Sequence, residues 1–104
     1  MELSVLKTDG SLCLLIPKII VNKLGWVAGD LLEFVPRGSV VELRNLGESG
    51  LVRMPFRRGL RRFGGSYAVT IPLEVRGHFA GANSVKAWVE DGKLFVSVEE
   101  VREG

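Results

Sequence analysis

A chain of 104 residues, 46% hydrophobic and 25% charged with a formal charge of +2, has material for one compact soluble domain. Its most apolar stretch, Leu12 to Val21, is broken by Pro17 and Lys18 and falls short of the roughly 20 residues of a membrane span, while the Met1-Glu2-Leu3-Ser4 start lacks the basic segment and apolar core of a secretory signal, so a cytoplasmic protein is expected. The single cysteine, Cys13, can form no internal disulfide and reads as a small buried hydrophobe, which sets aside redox and zinc chemistry.

Leu3 to Lys7 reads as a short strand, Asp9-Gly10 as a hairpin turn, and Ser11 to Ile16 as a nearly continuous apolar strand buried on both faces. Pro17 is suited to begin a helix, because its missing N–H would be unpaired there anyway. Ile20, Val21 and Leu24 follow at helical spacing, and Gly25 can end the helix in a left-handed conformation. Gly29-Asp30 turns into a strand over Leu31 to Val35, and Pro36-Arg37-Gly38 turns again into Val40 to Arg44. Asn45 to Met54, with Gly47, Glu48, Ser49 and Gly50, reads as a linker ended by Pro55. Then come a strand near Arg57 to Phe63, a Gly64-Gly65 turn, a strand from Ser66 to Ile71, a helix from Pro72 to about Phe79, and strands over Val85–Glu90 and Lys93–Val98 joined at Asp91-Gly92.

The chain therefore repeats itself. Gly10, Ser11, Ile16 and Pro17 lie 55 positions before Gly65, Ser66, Ile71 and Pro72, and Gly38 matches Gly92 at an offset of 54. Repeat 1 covers 3–45, repeat 2 covers 57–99, and a linker at about 46–56 joins them in a single domain, 1–104. Each repeat, about 45 residues, is too small to bury a secure core alone and needs a partner. Ile16, Ile71, Phe34 and Trp88, at matched positions, are expected in the core, as are most other aromatics, including Trp26, Phe63, Phe79 and Phe95. Tyr67, just after the turn, reads either as core or as a surface ring able to stack on a base.

Charge is unevenly distributed. Residues 1–52 carry five Lys/Arg against six Asp/Glu, and residues 53–104 carry nine against six. Arg53, Arg57, Arg58, Arg61 and Arg62 fall within ten residues with no acid between them. Such a cluster attracts phosphate, although cations on a strand edge also discourage aggregation between sheets. For catalysis the inventory is thin. His78, the only histidine, has no cysteine near it, the acids are scattered, and no phosphate-binding G-x-x-x-x-G-K-S/T motif occurs. No enzyme activity, metal or cofactor is expected. The absence of Gln and the presence of only three Asn is a bias of proteins from hot environments.

The stretch Arg61-Arg62-Phe63-Gly64-Gly65-Ser66-Tyr67-Ala68-Val69-Thr70-Ile71-Pro72, continued by Gly92-Lys93-Leu94-Phe95-Val96, resembles the DNA-binding half of MazE-type antitoxins and, more broadly, the AbrB/SpoVT family. Repeat 1, through Lys7-Thr8-Asp9-Gly10-Ser11, Ile16-Pro17-Lys18, Lys23-Leu24-Gly25 and Gly29-Asp30, resembles the AbrB branch. The resemblance implies a mostly β fold with two short helices, a swapped-hairpin β-barrel. Family barrels interleave hairpins from two chains, so two repeats in one chain imply an intramolecular pseudo-dimer, or else a homodimer exchanging repeats.

By the same resemblance, Arg61, Arg62 and Ser66 stand where the family meets double-stranded DNA, with Lys7 and Ser11 at the matching places in repeat 1. Arg57 and Arg58 extend the basic strand, and Arg76 stands where AbrB-like helices carry an arginine. The sequence departs from the pattern at Thr70 and Leu15, where MazE-like sequences have a cation before Ile-Pro, at Leu6, and at Val21. Repeat 1 is thus a degraded reader. The implied function is a DNA-binding transcriptional regulator reading through the second hairpin. The alternatives are a protein-interaction module on the same barrel and an antitoxin-like regulator, the latter disfavoured by the few residues after Val98.

Overall fold

Tight turns set the local pieces. Asp9-Gly10, Gly38-Ser39, Gly64-Gly65 and Asp91-Gly92 each join two antiparallel strands as a two-residue loop. Asp91 and Gly92 both have positive φ, 50° and 74°, the backbone that matches the twist of the flanking strands. The computed structural model describes residues 1–47, 55–79 and 81–97. Most of the expected linker, and Arg53 within it, lie outside the described residues. In chain order the elements are β1 (Glu2–Thr8), β2 (Ser11–Ile16), α1 (Lys18–Leu24), β3 (Leu31–Arg37), β4 (Val40–Asn45), β5 (Arg57–Gly59), β6 (Arg61–Phe63), β7 (Ser66–Thr70), α2 (Leu73–Phe79), β8 (Ser84–Glu90) and β9 (Lys93–Ser97). Pro17 caps the start of α1, and Gly25, at φ 74°, ends it by donating its N–H to the Asn22 and Val21 carbonyls.

The fold is mostly β with two short helices. The nine strands of the described residues join one antiparallel sheet in the order β5-β3-β4-β9-β8-β1-β2-β7-β6. The end strands β5 and β6 are separated in the chain only by Leu60, so the sheet curls into a nearly closed barrel. At the seam Leu60 donates its N–H to the Asp30 carbonyl at 2.9 Å and accepts from Gly29 N–H at 2.8 Å. Its side chain is buried. The expected single strand from Arg57 to Phe63 is thus broken at Leu60, because one stretch of chain must leave β3 and join β7.

Alternate strand residues fill the barrel. Leu3, Val5, Leu12, Leu14 and Ile16 from the first two strands meet Tyr67, Val69 and Ile71 from the second half, closed by Leu32, Phe34, Val41, Leu43, Leu94 and Val96. Val21 of α1 and Val75 and Phe79 of α2 cover the core. Tyr67 belongs to this core at 7% exposure, which removes it as a base-stacking ring.

Trp88 is not in the core. It is 39% exposed and stacks on Phe95 with centroids 5.7 Å apart and planes at 9°. Matching Gly38 to Gly92 aligns Phe34 with Trp88. The loops instead make Arg37 and Val40, the pair flanking one turn, equivalent to Glu90 and Lys93 flanking the other, an offset of 53. The residue equivalent to Phe34 is then Ala87, which is buried. A one-residue slip in a strand turns every side chain to the other face.

Two outcomes follow from this packing. In urea titrations, Ile71→Ala should cost about 2 to 5 kcal/mol, whereas Trp88→Ala should cost only about 1 kcal/mol, the worth of an exposed aromatic pair. Equal losses would contradict the register. Expressed separately, residues 1–50 and 51–104 should each fail to fold as monomers, since β1 and β2 find neighbours β8 and β7 in the other half; circular dichroism showing a native-like monomeric fragment with a sharp melt would refute this.

Candidate nucleic-acid interface

Four consecutive strands, β1, β2, β7 and β6, carry most of the residues singled out from the sequence. Cα partners in a ladder share a face. One face carries Val5, Leu14 and Val69, together with Ile16 and Tyr67, and these are core residues. The outward face is therefore built from the alternate pairs: Leu6 with Cys13, Cys13 with Thr70, Leu15 with Ala68, Ala68 with Arg61, Thr8 with Ser11 and Phe63 with Ser66.

Arg61 reaches across this outward face. Its Nη1 donates to Thr70 Oγ1 at 3.3 Å and its Nη2 to Cys13 Sγ at 3.4 Å, so the guanidinium spans β7 to touch β2. Leu6 holds the matching place on β1, and among the described residues of these strands no second cation shares the middle of the face. Arg62 points the other way, with its guanidinium carbon 5.6 Å from the centroid of the Tyr67 ring, a cation–π contact. Adjacent strand residues cannot share a face, so the basic pair is split between the two sides of the hairpin. Every residue of β6 is nonetheless exposed, and among the described residues no acid pairs with Arg61 or Arg62.

The other expected residues spread outward from this centre. Ser66 lies beside the Gly64-Gly65 turn opposite Phe63. Ser11 and Lys7 lie at the first hairpin, Ser11 on the outward face and Lys7 on the other, paired with Leu12. Ile16 pairs with Tyr67, so Ser11 and Ser66 are six residue steps apart along the ladder, roughly 20 Å. The two hairpin tips therefore point to opposite ends of the face. Arg76 of α2 donates to the Gly10 carbonyl at 2.8 Å, which buttresses the first tip. Arg57 pairs with Glu33 at 3.4 Å, and Arg58 donates to the Arg57 carbonyl at 2.6 Å. Glu74 accepts from Phe56 N–H at 3.3 Å. Its carboxyl lies below the ordinary value through backbone hydrogen bonds, its own first and then that of Phe56, with Arg58 adding to the shift.

Phe63 departs from expectation. Instead of packing in the core it is 42% exposed, next to the second turn on the face of Arg61 and Ser66. The signal was present in the sequence as strand parity: two residues from Arg61 and one before Gly64, Phe63 shares the outward face. His78 is exposed, and among the described residues no group of His, Cys, Asp and Glu is placed to hold a metal ion. Among them, too, no helix is long and apolar enough to cross a membrane. No family model, curated protein or solved structure matches the chain.

On the other stretch of sheet one cluster of charges is paired. Glu42, buried on β4, receives Arg37 Nε at 2.9 Å, Arg44 Nε at 3.2 Å and Lys93 Nζ at 3.5 Å. Burial alone raises its pKa, but the hydrogen bond from Arg37 and the charges of Lys93, Arg44 and Arg37 together outweigh it and hold the carboxyl below its ordinary value of 4.5. A depressed folded-state pKa contributes stability that is complete above the unfolded value and is lost as pH falls through the folded one. Glu42→Gln should accordingly lower the urea midpoint at pH 7, and the gap from the wild type should shrink steadily below pH 4.5. A gap independent of pH would show that ionisation of Glu42 is not the source.

Proposed function

We propose that this chain binds double-stranded DNA as an AbrB-like transcriptional regulator, and that the β6–β7 hairpin makes the main contact. The observation that carries the reading is the fully exposed β6, whose Arg61 and Arg62 have no acidic partner among the described residues, whereas Glu33 and Glu42 engage the cations near them. Guanidinium forks bind phosphates or guanine edges bidentately, and the Ser66 hydroxyl beside the turn can donate to a phosphate oxygen. With Arg61 on one face of the ribbon and Arg62 on the other, a groove that admits the ribbon meets a cation on each side. Lys7 and Ser11 on the first hairpin, and Arg57, Arg58 and Arg76 around the two, add weaker or partly engaged contacts. No catalytic step, metal or cofactor belongs to this reading.

The architecture proposed with it is an intramolecular pseudo-dimer of swapped-hairpin type. Its support is the pairing register. Shifting the residues of β1 and β2 by 55, and those of β3 and β4 by 53, converts one set of pairs into another. The pair Val5–Leu14 becomes the position Leu60–Val69, one step beyond and in register with Arg61–Ala68, and Cys13–Thr70 becomes Leu15–Ala68. Leu3–Val85 becomes Arg58–Leu32, and Val40–Ser97 becomes Arg44–Lys93 in line with Leu43–Leu94. Two chains exchanging halves would preserve the same pairs.

A protein-interaction role would use a different face, where Trp88 stands exposed against Phe95. Fluorescence anisotropy against mixed duplexes at several salt concentrations separates the two readings. If about four phosphates are neutralised, log affinity should fall against log salt with a slope near −3.6. Arg61→Ala with Arg62→Ala should weaken binding and flatten the slope by about two units, with little change in melting temperature, and Lys7→Ala should do much less. Absence of salt-dependent binding by the wild type would favour the interaction module.

A further inference from the structure

We infer that Phe63 is a base-reading residue of the second hairpin, contacting the 5-methyl group of thymine in the major groove. The inference rests on the DNA-binding reading above and adds sequence selectivity to it. Phe63 is 42% exposed and shares the outward face with its ladder partner Ser66 and with Arg61, two residues away. Because β6 is the last strand of the sheet order, no strand of the described residues pairs with its outer edge beside Phe63. The tip is a two-stranded ribbon, and the major groove admits such a ribbon. The turn beyond it is bare: a side-chain carbon added at Gly64 or Gly65 would meet no atom within 4 Å.

A phenyl ring that shares its face with the Arg61 guanidinium and is left 42% exposed gains little for the free protein from the part that stays in water. It matches a surface in which an apolar group lies between phosphate walls. In the major groove of B-DNA the bulkiest such group is the thymine methyl, beside hydrogen-bond donors and acceptors and the much smaller C5–H of cytosine. Arg61 and Arg62, one on each side, orient the ribbon through phosphates or guanine edges, Ser66 fixes its height, and Phe63 is the part of the Arg61 and Ser66 face with no polar partner to seek. The first hairpin has Thr8 at the equivalent pair with Ser11, so the selectivity belongs to one tip and the contact is lopsided.

The test compares the full chain on A·T-rich duplexes with the same duplexes in which every thymine is replaced by deoxyuridine, which removes the methyl and leaves charge and base pairing intact. The wild type should bind the thymine duplexes at least about fourfold more tightly, the worth of one buried methyl. Phe63→Ala should bind both duplexes alike, with the salt slope and thermal midpoint of the wild type, and Phe63→Leu should keep part of the preference. Discrimination retained by Phe63→Ala, or no discrimination by a wild type that does bind DNA, overturns the role of Phe63 alone, including the case of a ring wedged from the minor groove, which the methyl does not reach. A wild type that binds neither duplex overturns the DNA-binding reading and this inference with it.

Discussion

The pairing of β2 with β7 is the contact on which the rest of the molecule depends. Each of these strands is the inner member of a tight hairpin, and together they place Leu14 against Val69 and Ile16 against Tyr67 at the centre of the barrel wall. Without that ladder, the β1–β2 and β6–β7 hairpins would be isolated two-stranded ribbons, which are at best marginally stable in water. The remaining cross-half joins, β4 with β9, β1 with β8 and β3 with β5, follow once this one is set. Leu60 then closes the circuit, because the chain that leaves β3 as β5 must reach β7 as β6 with a single buried residue between them.

That circuit also fixes the hairpin tips. Antiparallel pairing of β2 with β7 sends the Asp9-Gly10 and Gly64-Gly65 turns to opposite ends of one four-stranded face, with the Arg61 guanidinium near its middle. Leu6, where the matching cation would stand, leaves room for Arg61 to lie across Thr70 and Cys13 without like-charge repulsion. The face is therefore asymmetric. Arg76 props the first tip through the Gly10 carbonyl, while the second tip carries the exposed Phe63 and Ser66.

The charges are segregated in the same way. Glu42 engages Arg37, Arg44 and Lys93, and Glu33 engages Arg57. A buried carboxylate without partners would be strongly destabilising, so the cations around Glu42 serve the fold first. Arg61 and Arg62 have no such acid among the described residues. They are held only by weaker neighbours, a hydroxyl, a thiol and an aromatic ring, which a phosphate can outcompete. This difference between the arginines, with two of them adjacent on one exposed strand, favours the β6–β7 hairpin as the proposed contact more than the net charge of +2 does.

Local chemistry was legible in the sequence. The Asp-Gly and Gly-Gly turns, Pro17 and Gly25 bounding α1, the continuous apolar run from Leu12 to Ile16, and the density of arginines before Gly64 all depend on residues within a few positions of one another. What depended on distant residues was not legible. Gly38 and Gly92 looked equivalent as glycines, but the loop flanked by Arg37 and Val40 matches the one flanked by Glu90 and Lys93, and that slip of one residue turned Trp88 outward and put Ala87 beneath it. Tyr67 could be surface or core until Ile16 became its ladder partner. Arg61 and Arg62 were one basic pair in the sequence and became residues of opposite faces in the sheet. Turn and helix signals are energies of neighbouring residues, so the chain carries them anywhere. Which face a strand residue occupies, and whether anything covers it, is decided only by the strand that pairs beside it, here most often one from the other half of the chain.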